Sequence, residues 1–277
     1  MRQPQQGMTL ITVLLLLIAI TIIGSLAIRS SITSLKVSTM SQAQQLMLQS
    51  SDTALFQIEN PENIQKNMAI NGMFGYIKGE DNIGKELVFC YKASESDFFK
   101  LSRASLINWN GNSVDNAGLG VNGFCKIDNG FFSSSRKTVM TQVAIKAADM
   151  SNAEAFSYMQ KGTDPDSAKI DPGQLYTVYA TTIFPALAPT SDSDIDTKIG
   201  NCFKQHFNSI PSSKLSEVDI DLATEKAKPT TGDGAQNPTT ISNLELAKKT
   251  VSACLNNLGV PTHTQVATYS LQQNLAK

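Results

Sequence analysis

The chain has little excess charge of either sign. Its 23 lysine and arginine residues are matched by 24 aspartate and glutamate residues, which leaves a net charge of −1. A nucleic-acid-binding surface needs clustered basic residues, so this balance argues against a nucleic-acid partner. Histidine is also scarce: His206 and His263 are the only two, and neither stands in a hydrolase or metalloprotease motif. The sequence therefore predicts no enzyme and no cofactor.

A calcium-binding motif is present only in part. Asp192, Asp194 and Asp196 alternate as the first ligands of a calcium loop do. Thr197 then stands where that loop needs glycine, and Phe203 where it needs a bidentate glutamate. A solvated acidic loop is the favoured interpretation, and the three aspartates are weak calcium candidates.

The chain has a single tryptophan, Trp109, set among asparagine residues. Such a ring could stack against a sugar. A lone tryptophan in a polar loop more often anchors that loop by partial burial, and this second interpretation is favoured.

What the chain does contain is one long apolar run over residues 8–28, with no charge before Arg29. At about 1.5 Å per residue it spans roughly 31 Å, close to the thickness of the hydrocarbon core of a bilayer. A secretory signal peptide has a shorter apolar region, followed by a small-residue cleavage site. Here the small residue, Gly7, precedes the run. The run is predicted to be a transmembrane helix, although its flanking charges do not select an orientation.

Four blocks near the amino terminus follow a known pattern. They are residues 6–11 (QGMTLI), the leucine block 14–17, residues 23–29 (IGSLAIR) and residues 49–55 (QSSDTAL). Together they resemble the PilX-type minor pilins of the type IV pilus, within the type IV pilin and pseudopilin superfamily. The resemblance covers about residues 1–59 and does not extend into the rest of the chain.

The resemblance implies a prepilin leader over residues 1–7. Prepilin peptidase would cut between Gly7 and Met8, and Met8 would become the methylated terminus. Most pilins carry glutamate at the fifth position after the cut, where this chain has Thr12. In the family that carboxylate pairs with the terminal amine of the subunit assembled just before. A subunit at the very tip has no such neighbour, so Thr12 is compatible with a tip position.

The function implied is that of a minor pilin that primes pilus assembly and sits at or near the tip, with roles in adhesion and twitching motility. The implied partners are other minor pilins, the major pilin and a tip adhesin of the PilY type. Before assembly the protein would lie in the inner membrane of a Gram-negative bacterium with its head in the periplasm, and afterwards at the cell surface. Two alternatives stay open: a minor pseudopilin at the tip of a type II secretion pseudopilus, and a signal-anchored periplasmic binding or sensing domain.

Cysteine is scarce, and its four occurrences are Cys90, Cys125, Cys202 and Cys254, with no C-x-x-C motif. Four cysteines permit three pairings, and the sequence alone does not select one. A location outside the inner membrane favours two disulfides over buried free thiols. Cys90–Cys125 and Cys202–Cys254 are favoured, because each closes a local loop of roughly 35 to 50 residues, worth about 4 kcal/mol in the chain-entropy model.

The predicted fold is α+β. An amphipathic stripe predicts that the first helix continues beyond the apolar run as far as Glu59, and Asn60-Pro61 predicts its end. The expected parts are a helix over 8–59 and a head over 60–277. The head is expected to hold an antiparallel sheet and a helical carboxy-terminal part over about 190–277. The predicted elements are short strands and turns over 72–132, strands at 138–145 and 175–184, and helices at 151–161, 196–207 and 242–258, with a loop over 226–240.

Overall fold

The computed structural model describes residues 6–78, 80–92, 95, 97–128, 130–133, 138–148, 174–189, 193–232 and 234–271. The helices are α1 Gln6–Glu59, α2 Pro61–Met68, α3 Met73–Ile77, α4 Ile195–Gln205, α5 Ser212–Ala227, α6 Pro238–Ala247 and α7 Val251–Asn257. The strands are β1 Glu86–Tyr91, β2 Ala104–Asn110, β3 Ser113–Asp115, β4 Met140–Ala147, β5 Gln174–Ile183 and β6 Thr262–Leu271. The helix predicted at 151–161 lies outside the described residues.

Backbone packing divides the chain into two units, Met1–Gln45 and Leu46–Lys277. The described part of the first unit is a single stretch of α1. The second unit contains the last turns of α1, the sheet and the remaining helices. The chain is thus α+β, as predicted.

The six strands form one antiparallel sheet in the order β3-β2-β1-β4-β5-β6. Strands β1 and β4 lie at its centre and are buried along nearly their whole length. Their side chains alternate between two covered faces, because successive residues of a strand point to opposite sides. The strands predicted around residues 138–145 and 175–184 correspond to β4 and β5.

One face of the sheet is covered by the end of α1. Ala54, Leu55 and Ile58 pack there with α3 and with alternate residues of the strands, in one apolar cluster. Polar contacts fix the same packing, since the Ser50 hydroxyl lies 2.7 Å from that of Thr141 in β4. The amphipathic stripe predicted for this part of the helix is therefore its buried face.

The other face is covered by the carboxy-terminal helices, and both favoured disulfides are present on this side. Cys90–Cys125 ties β1 to the loop after β3, and Cys202–Cys254 ties α4 to α7. All four cysteines belong to or pack against one apolar cluster. The two cross-links therefore hold the helical layer and the sheet around a shared core.

The carboxy-terminal part differs from its prediction in three places. Helix α5 was not among the predicted helices and ends just inside the predicted loop over 226–240, and the expected helix over 242–258 is two helices, α6 and α7. The cap of α6 is Asn237, whose side chain accepts hydrogen bonds from the amides of Thr239 and Thr240. The chain also ends its described part in a strand, β6, where helix was expected.

The first helix ends at Glu59 as predicted but begins at Gln6, two residues before Met8. Asn60-Pro61 marks both the end of α1 and the beginning of α2. The Asn60 side chain caps α2 by accepting a hydrogen bond from the Glu62 amide, with proline at the first helical position.

Candidate functional site

The candidate functional site is the apolar segment of α1 from Leu10 to Ile28. Its large apolar side chains are exposed on every side of the helix, from 47% at Ile18 to 74% at Leu10. Helix α1 is long and apolar enough to cross a membrane by length and composition. About a dozen such side chains are involved, and each contributes about 1.5 kcal/mol or more when it leaves water, so exposure of the whole segment costs on the order of 20 kcal/mol.

Three threonine side chains of α1 satisfy their hydroxyl groups within the helix. Thr21, Thr33 and Thr39 donate hydrogen bonds to backbone carbonyls of the preceding turn, at 2.8, 3.0 and 2.9 Å. Their polar atoms are thereby satisfied within the helix itself, so they need no water. Of the three, Thr21 lies within the Leu10–Ile28 segment, and its hydroxyl needs no water when that segment enters a lipid or protein surrounding.

Small residues interrupt the bulky ones along the same segment, at Ala19, Gly24, Ser25 and Ala27. A Cβ atom added at Gly24 would meet nothing within 4 Å. In membranes such positions let the backbone of a second helix approach closely. The segment thus offers both a surface for lipid and a place for helix packing.

The two processing residues named from the sequence, Gly7 and Met8, lie in the first turns of α1. Thr12 follows one turn later in the same helix. Cleavage between Gly7 and Met8 stays a prediction.

The calcium candidates are only partly described. Asp192 lies outside the described residues, Asp194 precedes α4, and Asp196 lies in the first turn of α4. Within the described parts of the chain, no three His, Cys, Asp or Glu side chains lie close enough together to hold a metal ion. The acidic triplet as a whole stays an untested prediction.

Trp109 lies in strand β2 and not in a loop as expected. Its ring stacks on Phe207, with centroids 4.6 Å apart and planes 11° from parallel. The Lys214 ammonium lies 5.7 Å from the ring centroid. The half-buried ring therefore anchors the helical layer to the sheet.

The two histidines have different surroundings. His206 is buried, and its Nδ1 lies 3.0 Å from the Leu246 carbonyl oxygen. Burial lowers the pKa of His206, which favours the neutral ring. His263 lies in β6.

Glu86 is a buried carboxylate that no sequence pattern indicated. This side chain, at the first position of β1, is completely buried. It accepts hydrogen bonds from the Asn208 amide at 3.0 Å, the Asn208 side chain at 2.9 Å and the Ser209 amide at 3.1 Å. Burial raises the pKa of Glu86, while these donors and the charge of Lys146 act in the opposite direction. Glu86 thus fastens the loop between α4 and α5 to the sheet.

Comparison with known proteins gives no relative from which a function could be transferred. No family model, no curated protein and no solved structure matches the chain.

Proposed function

We propose that the protein is a minor pilin that primes the assembly of a type IV pilus and sits at or near the pilus tip. The observation that carries the proposal is the exposure of the Leu10–Ile28 segment on all sides. A segment this apolar needs a bilayer or a bundle of similar helices around it. A minor pilin uses both in turn, first in the inner membrane and then in the filament.

The junction between this segment and its leader supports the same proposal. Gly7 precedes the apolar segment, so a cut after it would leave the whole segment on the mature protein. A conventional signal peptidase would instead remove the segment. The position of the small residue therefore favours a retained assembly helix over a discarded signal.

The head has the features expected of an extracytoplasmic domain. Its two disulfides require an oxidising compartment. The last turns of α1 lie against its sheet, with Ala54 and Ile58 buried, so the end of α1 is part of the core of the head. In this proposal the head selects other minor pilins and a PilY-type adhesin as partners.

The tip position rests on Thr12. A threonine cannot neutralise the terminal amine of a neighbouring subunit, and an unpaired charge at the centre of a bilayer costs about 2.5–3.5 kcal/mol. Addition next to an existing subunit is then disfavoured, whereas the first position in the filament carries no such cost.

Deletion of the gene tests the proposal. The number of surface pili should fall sharply, while the pool of major pilin in the membrane stays unchanged. Normal piliation together with a secretion defect would instead indicate the type II secretion role. Normal piliation and normal secretion would refute the assembly function altogether.

A substitution at Thr12 tests the tip position separately. Thr12→Glu supplies the missing carboxylate, so labelled protein should appear at more copies along the shaft. Thr12→Gln is the matched control of similar size without charge and should stay at one end. If wild-type protein were already spaced along the shaft, the tip assignment would be wrong.

A further inference from the structure

Strand β6 forms one edge of the sheet. It pairs with β5 over ten residue pairs, from Thr262 to Leu271, and no described strand pairs with its outer side. Near its start, the Thr264 hydroxyl lies 2.8 Å from that of Ser252 in α7. Beyond that point the outer backbone amides and carbonyls form a template on which another strand can add.

Helix α1 runs alongside this edge and is held to it by side-chain hydrogen bonds. Gln265 donates to Asp52 at 2.9 Å, and the Tyr269 hydroxyl donates to Glu59 at 2.9 Å. Between these two contacts lies a groove of about 700 Å³, lined by the outer flank of α1 and by the β6 residues from Gln265 to Ala267. The groove therefore follows the open edge along the side of the helix.

The flank of α1 presents an ordered set of side chains to this groove. Phe56 is 66% exposed, and Asp52 and Glu59 lie one turn before and one turn after it. Within the described residues, neither carboxylate has a lysine or arginine ion-pair partner. The groove thus has an exposed aromatic ring at its centre and a carboxylate on either side of it. This arrangement favours a ligand with one apolar and two basic side chains.

The spacing of this set fits a strand. Asp52 and Phe56 are about 6 Å apart along the helix axis, and Phe56 and Glu59 about 4.5 Å. Alternate side chains on one face of a strand are about 6.6 Å apart. Long basic side chains are flexible enough to span this small difference in spacing. Three alternate residues of an added strand would therefore contact Asp52, Phe56 and Glu59 in order.

We infer that β6 and this flank of α1 form a docking site for an extended segment of a partner protein, which adds to the sheet as a seventh strand. The segment has the pattern basic-x-apolar-x-basic on the face that meets α1. Its backbone bonds to the outer edge of β6, its apolar residue covers Phe56, and its basic residues pair with Asp52 and Glu59. The site is separate from the apolar segment and does not depend on the proposed function.

A second copy of this chain is a poorer occupant. Strand β6 contains no lysine or arginine. Pairing of two β6 edges would therefore bring together two acidic flanks with nothing basic between them. The charge of the groove selects a different, basic partner.

A synthetic peptide tests this inference on the full chain in detergent micelles. The probe is the fluorescein-labelled peptide TTKTVTKTT, and the readout is fluorescence anisotropy at low salt. Saturable binding is expected. Phe56→Ala should weaken it at least fivefold, and the double variant Asp52→Asn with Glu59→Gln at least tenfold, with loss of the salt dependence.

Matched controls distinguish strand addition from nonspecific binding of the peptide. Ile70→Ala removes another exposed apolar side chain, 87% exposed, and should leave binding unchanged. The peptide with glutamate in place of both lysines, or with N-methylated backbone amides, should not bind. Absence of binding at millimolar peptide would overturn the inference, and so would equal binding to the acidic peptide. Self-association of the chain that Phe56→Ala abolishes would show that the occupant is a second copy instead.

Discussion

Removal of the buried carboxylate at Glu86 should loosen the helical layer from the sheet. Glu86→Ala leaves three hydrogen-bond donors without an acceptor: both the backbone and side-chain N–H of Asn208, and the Ser209 amide. Each donor left unpaired costs about 1 kcal/mol or more, and the vacated space adds about another 1 kcal/mol. The variant is expected to lose about 4 kcal/mol of unfolding free energy at neutral pH.

Glu86→Gln removes the negative charge of the side chain but keeps one oxygen that can accept hydrogen bonds. The amide oxygen can keep the bonds from the Asn208 and Ser209 amides, which in the wild type share one carboxylate oxygen at 3.1 Å each. Because burial raises the pKa of Glu86, ionisation of this carboxyl group is less favourable in the folded protein than in the unfolded chain. The glutamine NH2 group cannot accept the hydrogen bond from the Asn208 side chain, so one donor is left unpaired. The substitution should therefore cost about 1–2 kcal/mol at neutral pH, well below the loss expected for Glu86→Ala.

The raised pKa also fixes the sign of the pH dependence. The stability contributed by a group whose pKa is higher in the folded protein is fully present below its unfolded pKa and is lost as the pH rises through its folded pKa. Wild-type protein should therefore lose stability relative to Glu86→Gln as the pH rises from about 4.5.

Urea unfolding of the full chain in detergent, followed by near-ultraviolet circular dichroism at several pH values, measures these differences. Glu217→Gln is the control, since Glu217 is an exposed carboxylate whose ion-pair partner within the described residues is Lys214. It should shift stability by less than about 0.5 kcal/mol. A loss below 1 kcal/mol in Glu86→Ala would refute the anchoring role. A wild-type pH profile parallel to that of Glu86→Gln would refute the raised pKa.

Three further predictions concern the disulfides, the leader and the pilus. Cys202→Ser with Cys254→Ser should lower the unfolding free energy by about 2–5 kcal/mol in urea, and an unchanged midpoint would contradict the stabilising role of this cross-link. Replacement of Gly7 by leucine should leave uncut precursor in the membrane fraction on an immunoblot. The control variant Gln6→Leu should still be processed. Normal cutting of the Gly7 variant would contradict the assigned cleavage site. Thr12→Glu should increase the labelled copies along each pilus, counted by immunogold microscopy, and an unchanged count would remove the basis for the tip position.

Local signals in the sequence were sufficient for the end of α1, its buried face and the two disulfides. Asn60-Pro61 marked the end of α1 because a residue before proline is forced out of the helical region. The loop lengths pointed to the Cys90–Cys125 and Cys202–Cys254 pairings, which the structure contains. Burial at Ala54 and Ile58 follows directly from the periodic stripe.

The missed features depend on tertiary contacts. Strand β6 is rich in threonine and other polar residues because it lies at an edge, so it lacks the strong apolar alternation of a central strand. Glu86 looks like an ordinary polar start to an apolar strand. Its partner Asn208 lies 122 positions away in the sequence, and no local pattern connects the two.

If the protein is a processed minor pilin, its apolar helix is retained on the mature protein. The intact mass of protein purified from the membranes of its native host tests this most directly. The expected mass is that of a chain that begins at a methylated Met8 and retains the complete apolar segment with both disulfides formed. A mass that begins at Met1, or one that lacks the apolar segment, would contradict it.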